Sequence, residues 1–345
     1  MKKKLMVLAL TLVLGISMIG CSSKSVATVN GEGIPLEYYK TYVNFVKLGY
    51  ESQGYTSSVW ETEVEDSATS SSSEDNKTSD GKSSEKTTYW DQFKQQILQS
   101  MEQSETIYQK AKEVDALPTD KEVQEAVDNF NKSLESDETT KEQAENAGIN
   151  DEFLKYVLTR ELARSEYEKY VLDKVADETK LKKEYKSNKA AYDTVTASHI
   201  LISTTDDNGK ELSAKKKAEA KKKAEEVLKK AKAGEDFAKL AKEYSEDEGS
   251  AENGGELGAF TYERMVEKFS KAAFALDKGE ISDIVETDYG YHIIKVTDKA
   301  DTYEAVRYSV AEALYGDDVD QDIEKLIKDA KVDVNEKELK SISYK

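Results

Sequence analysis

A single cysteine stands in 345 residues, which excludes an internal disulfide, a thiolate zinc cluster and a CxxC redox pair. Histidine and proline number only two each, so nothing in the composition asks for a metal or another cofactor. Basic side chains are outnumbered, 50 against 69 acidic ones, for a formal charge of -19. Such a surface repels a phosphate backbone, and nucleic acid is not an expected partner. Apolar runs are missing beyond the first 20 residues, and 34% charged against 38% hydrophobic residues exclude a multi-span membrane protein. The length exceeds one small core and predicts two domains.

The one long apolar run is N-terminal, where Lys2, Lys3 and Lys4 precede Leu5 to Gly20. A basic n-region before a short h-region reads as an export signal over residues 1–20. Cys21 follows Met18-Ile19-Gly20 and opens a polar Ser-Ser-Lys-Ser stretch. This resembles a bacterial lipobox, with Met18 where leucine is usual, and the resemblance implies a lipid-modified Cys21 at the start of the mature chain. An uncleaved anchor helix and ordinary secretion are the other readings, although about 16 apolar-rich residues are short for a span.

Beyond the signal, residues 21–190 read as helical. Val26 to Val29 is a short β-prone run closed by Asn30-Gly31, a hairpin signal. Leu36, Tyr39, Val43 and Val46 then recur at helical spacing, as do Trp90, Phe93, Ile97, Met101 and Tyr108. Pro118 followed by Thr119 and Glu122 predicts a break and then a capping box. A further helix is expected from Asn150, with Phe153, Tyr156, Val157, Leu158, Leu162, Tyr167 and Val171 on its apolar face. Residues 61–88, rich in Ser, Thr and charge, offer too little apolar area to offset ordering and read as a flexible insert. The tyrosines Tyr38, Tyr39, Tyr42, Tyr50 and Tyr55 suit either a promiscuous cleft or ordinary helix packing. Residues 299–345 hold an amphipathic helix over 316–331, followed by Val332-Asp-Val334, and are too few for a core of their own. They are expected to pack back on the N-terminal helices, making the parent domain discontinuous.

The inserted segment, 194–298, has another texture. A strand at Ala197 to Ile202, helices at Ser213 to Ala233 and Asp236 to Tyr244, a glycine-rich loop from Gly249 to Gly258, a helix at Glu263 to Ala275, and strands at Ile281 to Val285 and Tyr291 to Val296 give the order β-α-α-β-α-β-β. The predicted class is α+β, a module on a small, mostly antiparallel sheet inserted in a discontinuous all-α domain. Both histidines, His199 and His292, fall on its first and last strands, flanked by aliphatic residues. On spacing alone they read more readily as satisfied core histidines than as site residues. A Ser-His-Asp hydrolase is disfavoured, since no Gly-x-Ser-x-Gly elbow is present.

Read in order, Ser198-His199-Ile-Leu-Ile, Phe237 to Asp247, Asn253-Gly-Gly-Glu-Leu257-Gly258-Ala-Phe260, Phe269 to Phe274, Gly279-Glu280-Ile and Gly290-Tyr-His292-Ile-Ile resemble the parvulin family of peptidyl-prolyl isomerases. The order of parts outside this segment is similar to extracytoplasmic foldase lipoproteins of the PrsA type and, more distantly, to SurA chaperones. The resemblance implies a parvulin-like module in a chaperone-like parent. It places Leu257, Met265 and Phe269 around the proline ring with Phe260 close by, and His199, Asp247 and His292 in a polar floor. Helix core remains the plain alternative for Met265 and Phe269. Asp247 stands where family members carry Cys or Asp, which argues against obligatory covalent catalysis. The loop Thr204 to Gly209 has two acids and no base, unlike phosphate-directed parvulins. The implied partners are unfolded exported polypeptides with X-Pro bonds and, through the lipid, the outer face of the cell membrane. A holdase with a silent module is the alternative function, a solute-binding lipoprotein would need βαβ units throughout, and a homodimer is left open.

Overall fold

The computed structural model describes residues 24–64, 87–135, 137–206 and 209–344. The expected export signal, Cys21 and most of the 61–88 stretch lie outside the described residues. Along the chain, strands β1 (Ser25–Val29) and β2 (Glu32–Pro35) lead into helices α1 (Leu36–Ser52), α2 (Ser57–Trp60), α3 (Tyr89–Glu113) and α4 (Asp120–Leu134). Helices α5 (Glu138–Ala147), α6 (Asp151–Val175), α7 (Glu178–Ser187) and α8 (Lys189–Tyr192) follow. Strand β3 (Thr194–Ser203), helices α9 (Ala214–Lys232) and α10 (Phe237–Tyr244), strand β4 (Glu256–Thr261), helix α11 (Glu267–Ala275) and strands β5 (Val285–Glu286) and β6 (Gly290–Ala300) come next. Helix α12 (Tyr303–Asp329), strand β7 (Val332–Val334) and helix α13 (Glu336–Lys340) complete the order. Two compact units result, one of residues up to Tyr170 with Gln321–Lys345, the other Val171–Asp320.

The first unit is helical apart from one small sheet. Asn30 and Gly31, with φ of 51° and 91°, supply the two positive-φ positions of a two-residue hairpin and fold β2 back on β1. The other edge of β1 is taken by β7, with Ala27 opposite Val334, so the β-prone runs at the two ends of the chain pair with each other. The Thr119/Glu122 capping box forms at the start of α4, and Thr88 with Asp91 makes a second one on α3. Tyr39, Trp60, Trp90 and Phe93 are buried with Val26, Ile34, Leu339 and Ile342. Within that core the Trp90 indole N–H donates to the Ile342 carbonyl at 3.0 Å, satisfying a polar group that burial would otherwise make costly. Tyr39, Tyr50 and Tyr55 also join this core, and Tyr38 packs against Phe153 and Tyr156. Tyr42 borders a cleft of about 250 Å³ with Met101 and Tyr156. The margins of the serine-rich stretch are not loose: the Val64 N–H donates to Thr87 at 3.0 Å and the Tyr89 N–H to Thr62 at 2.9 Å.

In the second unit a four-stranded antiparallel sheet runs β4-β3-β6-β5. The terminal strands of the segment in sequence, β3 and β6, are its two central neighbours in space. Alternation along these strands builds two apolar faces. Ile200, Ile202, Tyr291 and Ile293 pack under α9 and α10, while Val195, Ala197, Ile294 and Val296 pack under α11 with Phe260 and Phe269. Three elements depart from the sequence reading. The expected helix from Glu263 is a 3₁₀ turn, Tyr262–Arg264, and then an extended step at Met265 and Val266 before α11 begins. The expected strand over 281–285 shrinks to β5 and a bridge between Ile281 and Lys295. Helix α12 begins at Tyr303 rather than 316, because Val306, Val310 and Ala311 are buried and Arg307 binds Asp173 at 2.6 Å and Glu178 at 2.9 Å. Gly316 is therefore an interior helix position.

Candidate active site

The β3–β6 register pairs Leu201 with His292 and His199 with Ile294, so the two histidines are diagonal neighbours on the α11 face. Their rings stack at 5.5 Å with 18° between planes, and the two Nδ1 atoms lie 3.2 Å apart. Both residues are buried, at 6% and 5% exposure. Asp247 follows α10, and its Oδ2 lies 2.7 Å from His199 Nε2. The Ser250 hydroxyl donates to the same oxygen at 2.5 Å, and the Gly249 N–H reaches Oδ1 at 3.4 Å. At the far end, Thr287 Oγ1 lies 2.8 Å from His292 Nε2 and accepts the Tyr289 N–H at 3.1 Å.

These contacts admit one consistent direction of donation when the carboxylate is ionised and each ring carries a single proton. Asp247 accepts only, so His199 Nε2 carries the proton and its Nδ1 accepts. His292 Nδ1–H then donates to His199, and His292 Nε2 accepts from the Thr287 hydroxyl. All four ring nitrogens of the two histidines are engaged, which pins both rings. Burial lowers the His292 pKa to about 4, the neighbouring His199 ring acts in the same direction, and Asp247 opposes them. Burial alone would raise the Asp247 carboxyl, but hydrogen bonds from Ser250 and His199 outweigh it and hold it below the usual carboxylate range. At neutral pH the floor is a neutral His292 and an ionised, half-exposed Asp247.

Apolar side chains lie against this floor. Phe269 meets both imidazoles edge-on, at 5.7 Å from His199 and 5.4 Å from His292. Phe260 lies 6.0 Å from Phe269, and Leu257 and Met265 are half-buried on the same cluster. Thus His199, Asp247, His292, Leu257, Phe260, Met265 and Phe269 come together on one face, while Cys21 lies outside the described residues. The glycine-rich phrase has a steric cause. Gly255, at φ +78°, runs so close to β3 that a Cβ would sit 2.1 Å from the His199 carbonyl oxygen.

Two polar members of the chain escaped the sequence reading. Ser250 carried a signal, since Asp-x-x-Ser spacing allows a local hydrogen bond, but Thr287 carried none. Its role depends on the β5–β6 pairing that sets Val285 opposite His292. Among the described residues no group of three or more His, Cys, Asp or Glu could hold a metal ion. The site offers no free nucleophile either, because the Ser250 hydroxyl is committed to Asp247. What it offers is an apolar recess over a rigid imidazole floor with one carboxylate at its edge.

A family model for the PPIC-type PPIase domain matches residues 179–300, from α7 to the end of β6. The foldase protein PrsA of Caldanaerobacter subterraneus subsp. tengcongensis is 33% identical over 303 residues, covering 86% of this chain and 82% of that protein. The foldase protein PrsA of a Geobacillus species is 40% identical over 233 residues, covering 65% of this chain and 75% of that one. Among solved structures, the crystal structure of PrsA from Bacillus subtilis is 34% identical, covers 71% of this chain and 86% of its own, and superposes with a TM-score of 0.34.

Proposed function

We propose, from the premise that this chain belongs to the PrsA foldase family, that its paired-histidine face is where the foldase turns X-Pro bonds of unfolded exported polypeptides. The chain is a peptidyl-prolyl cis-trans isomerase, with the PPIC-type domain over 179–300. The rotation it catalyses faces a barrier of ~18–20 kcal/mol, because the planar amide is conjugated. Lowering that barrier needs a site that favours the twisted amide over either planar form. In our reading Met265, Phe269 and Leu257, with Phe260 behind them, hold the proline ring. This recess is drier than water and withdraws the solvation that stabilises the planar, charge-separated amide. His199 and His292, held by Asp247 and Thr287, form a floor that cannot drift as the peptide turns. No covalent step is needed.

The observation that carries this reading is Phe269, edge-on to both imidazoles and in one cluster with Leu257, Phe260 and Met265. The test is the cis-to-trans relaxation rate of Ala-Pro, Leu-Pro and phosphoserine-Pro peptides with the full chain. Phe269→Ala is expected to lower kcat/KM by about one to two orders of magnitude, the ~1.5–3 kcal/mol of a buried apolar side chain, with the fold retained by circular dichroism. Phosphoserine before proline is expected to give no advantage. A wild-type rate equal to the uncatalysed one with every peptide would refute the assignment of this face.

Around this site we read residues 194–298 as the isomerase module, and 21–190 with 299–345 as the client-holding parent. The parent's tyrosine-bordered cleft supports that division. The basic run and Cys21 support lipid anchoring on the extracytoplasmic face of the membrane. Cys21→Ala should then release the chain from membranes, whereas a membrane-bound variant with an intact N-terminus would mean an anchor helix.

A further inference from the structure

The cleft of about 250 Å³ in the helical unit is lined by residues of α1, α3 and α6. It is smaller than the about 300–1,000 Å³ of small-molecule sites, so it suits a stretch of chain better than a free cofactor. Met101, Val157 and the rings of Tyr42 and Tyr156 make its apolar lining. Its polar lining includes two pairs, each one helical turn apart: Ser100 with Ser104, and Arg160 with Arg164. The two serine hydroxyls have no hydrogen-bond partner among the described residues. Arg160 is fixed in place: its Nε–H donates to Glu105 at 2.6 Å and an Nη1–H to the Tyr156 carbonyl at 3.1 Å, and the guanidinium lies 3.5 Å from the Tyr156 ring centre and 4.4 Å from that of Tyr108. Glu105 is 2% exposed, so this charge is balanced internally, and the rest of the guanidinium fork is left for an acceptor that brings no charge. Arg164 is likewise paired, with Glu168 at 2.9 Å, and Glu161 adds a carboxylate to the lining with no ion pair among the described residues. Two guanidinium groups thus face three carboxylates, which disfavours an anionic ligand.

We infer that this cleft holds client polypeptides by their backbone, its occupant being an extended, strand-like segment that is uncharged or basic and carries apolar side chains at every second residue. The inference rests on the reading of the parent as the client-holding part. Along one edge of a strand the carbonyls recur every two residues, about 6.6–6.8 Å, and four residues of helix rise about 6 Å. Hydroxyls at Ser100 and Ser104, and the unspent N–H groups of Arg160 and Arg164, therefore match the repeat of a strand laid along them. Such a strand turns alternate side chains toward Met101 and Val157 and the others toward solvent. Backbone carbonyls are common to all sequences, so this mode of recognition accepts many clients. The charge balance sets its one restriction, against acidic segments.

The probe is a fluorescein-labelled, proline-free peptide that alternates leucine and serine, and its affinity for the full chain is read by fluorescence anisotropy. Three relatives accompany it: one with lysine at the serine positions, one with glutamate there, and one with ester bonds in place of alternate amides, whose carbonyls are weaker acceptors. Removing Arg160 would strand Glu105 as a buried charge, so the variant used is Ser100→Ala with Ser104→Ala, with the fold checked by circular dichroism. Both the double variant and the ester peptide should weaken binding by about tenfold, as expected for two lost hydrogen bonds, and the glutamate peptide should bind more weakly than the lysine one. Binding that is unchanged by the hydroxyls and by the esters overturns the backbone reading and leaves the parent a purely apolar holder. No binding by any peptide overturns the client-holding reading and the inference with it. Tighter binding of the glutamate peptide overturns the inference in favour of an anion site at the two arginines. Displacement by an excess of Ala-Pro peptide overturns it in favour of the histidine face, and a dimer that the peptide dissociates does so in favour of a second copy.

Discussion

The two faces of the four-stranded sheet use the same strands and adjacent residues, yet they are held in different ways. Under α9 and α10, Ile200, Ile202 and Ile293 meet alanines, Val227 and Leu240, and the contact is dispersion and apolar burial. Under α11, one residue along the same strands, His199 and His292 interrupt the aliphatic layer. There a directed chain from Tyr289 through Thr287 and both rings to Asp247 and Ser250 satisfies the buried polar atoms. The first face is held by undirected contact; the second depends on donors and acceptors set within hydrogen-bond distance of one another. A sheet can thus carry a stabilising face and a working face with no separate scaffold, because strand residues alternate sides.

The largest effect expected from this contrast is on stability alone. Ile293→Ala, fully buried on the first face, should cost about 2–5 kcal/mol in urea unfolding, while kcat/KM of the folded fraction changes by less than about threefold. If activity fell as far as stability, the faces would not be separable. Acidification tests the second face. The folded His292 pKa lies below its ordinary value of 6.5, at about 4, so the unfolded chain binds the proton first. Stability should fall as pH drops from about 6.5 to 4, by on the order of 3 kcal/mol for this group. Asp247, also lowered, withdraws its own contribution only at lower pH, as the carboxyl protonates. Unfolding midpoints of wild type and His292→Gln between neutral pH and pH 4 check this; an unchanged slope in the variant would assign the loss to other groups.

A smaller cost is expected at neutral pH from His292→Ala, which leaves His199 Nδ1 without a partner and deprives the Thr287 hydroxyl of its acceptor: about 1–3 kcal/mol, with kcat/KM down at least tenfold. Placed beside Ile293→Ala, it inverts the ratio of activity lost to stability lost. The smallest effect belongs to Ser250→Ala. Removing one hydrogen bond to Asp247 should cost about 1 kcal/mol and move the acid limb of the kcat/KM profile to higher pH, since a carboxylate with fewer donors is a weaker acid. A profile that stays in place would leave Asp247 without a part in turnover.

Much of the site was legible before any coordinates, because its residues sit in short phrases. Asp247 ends the α10 phrase, Leu257 and Phe260 follow the two glycines, and Phe269 opens the α11 phrase. Their meaning was less legible than their presence. Asn253-Gly-Gly reads as a flexible loop, whereas Gly255 is there because the His199 carbonyl leaves no room for a Cβ. Met265 reads as one more helical position, but the helix breaks at Met265 and Val266 and leaves its side chain half-buried beside the site. The first half of α12 was missed for a related reason: Arg307 and Tyr303 look like solvent-facing positions until Glu178 and Asp173 are brought to meet them.

By itself the sequence determined what is decided within a few residues: apolar spacing that makes α1, α3 and α6 amphipathic, the Thr119 capping box, the Asn30-Gly31 turn and the motif phrases. Those effects act through neighbours one turn away, so a linear reading finds them. Only the tertiary structure decided which strands pair. It set β1 against β7 across some three hundred residues, and it turned the first and last strands of the module into central neighbours. The contact between His199 and His292, 93 residues apart, exists because the β3–β6 register puts both on one face, and the Thr287 partner follows from the β5 pairing. Register is chosen by burying whole apolar faces at once, since a slip of one residue would carry Ile200 and Ile202 together out of the α9/α10 layer and onto the α11 face. No local preference encodes that choice.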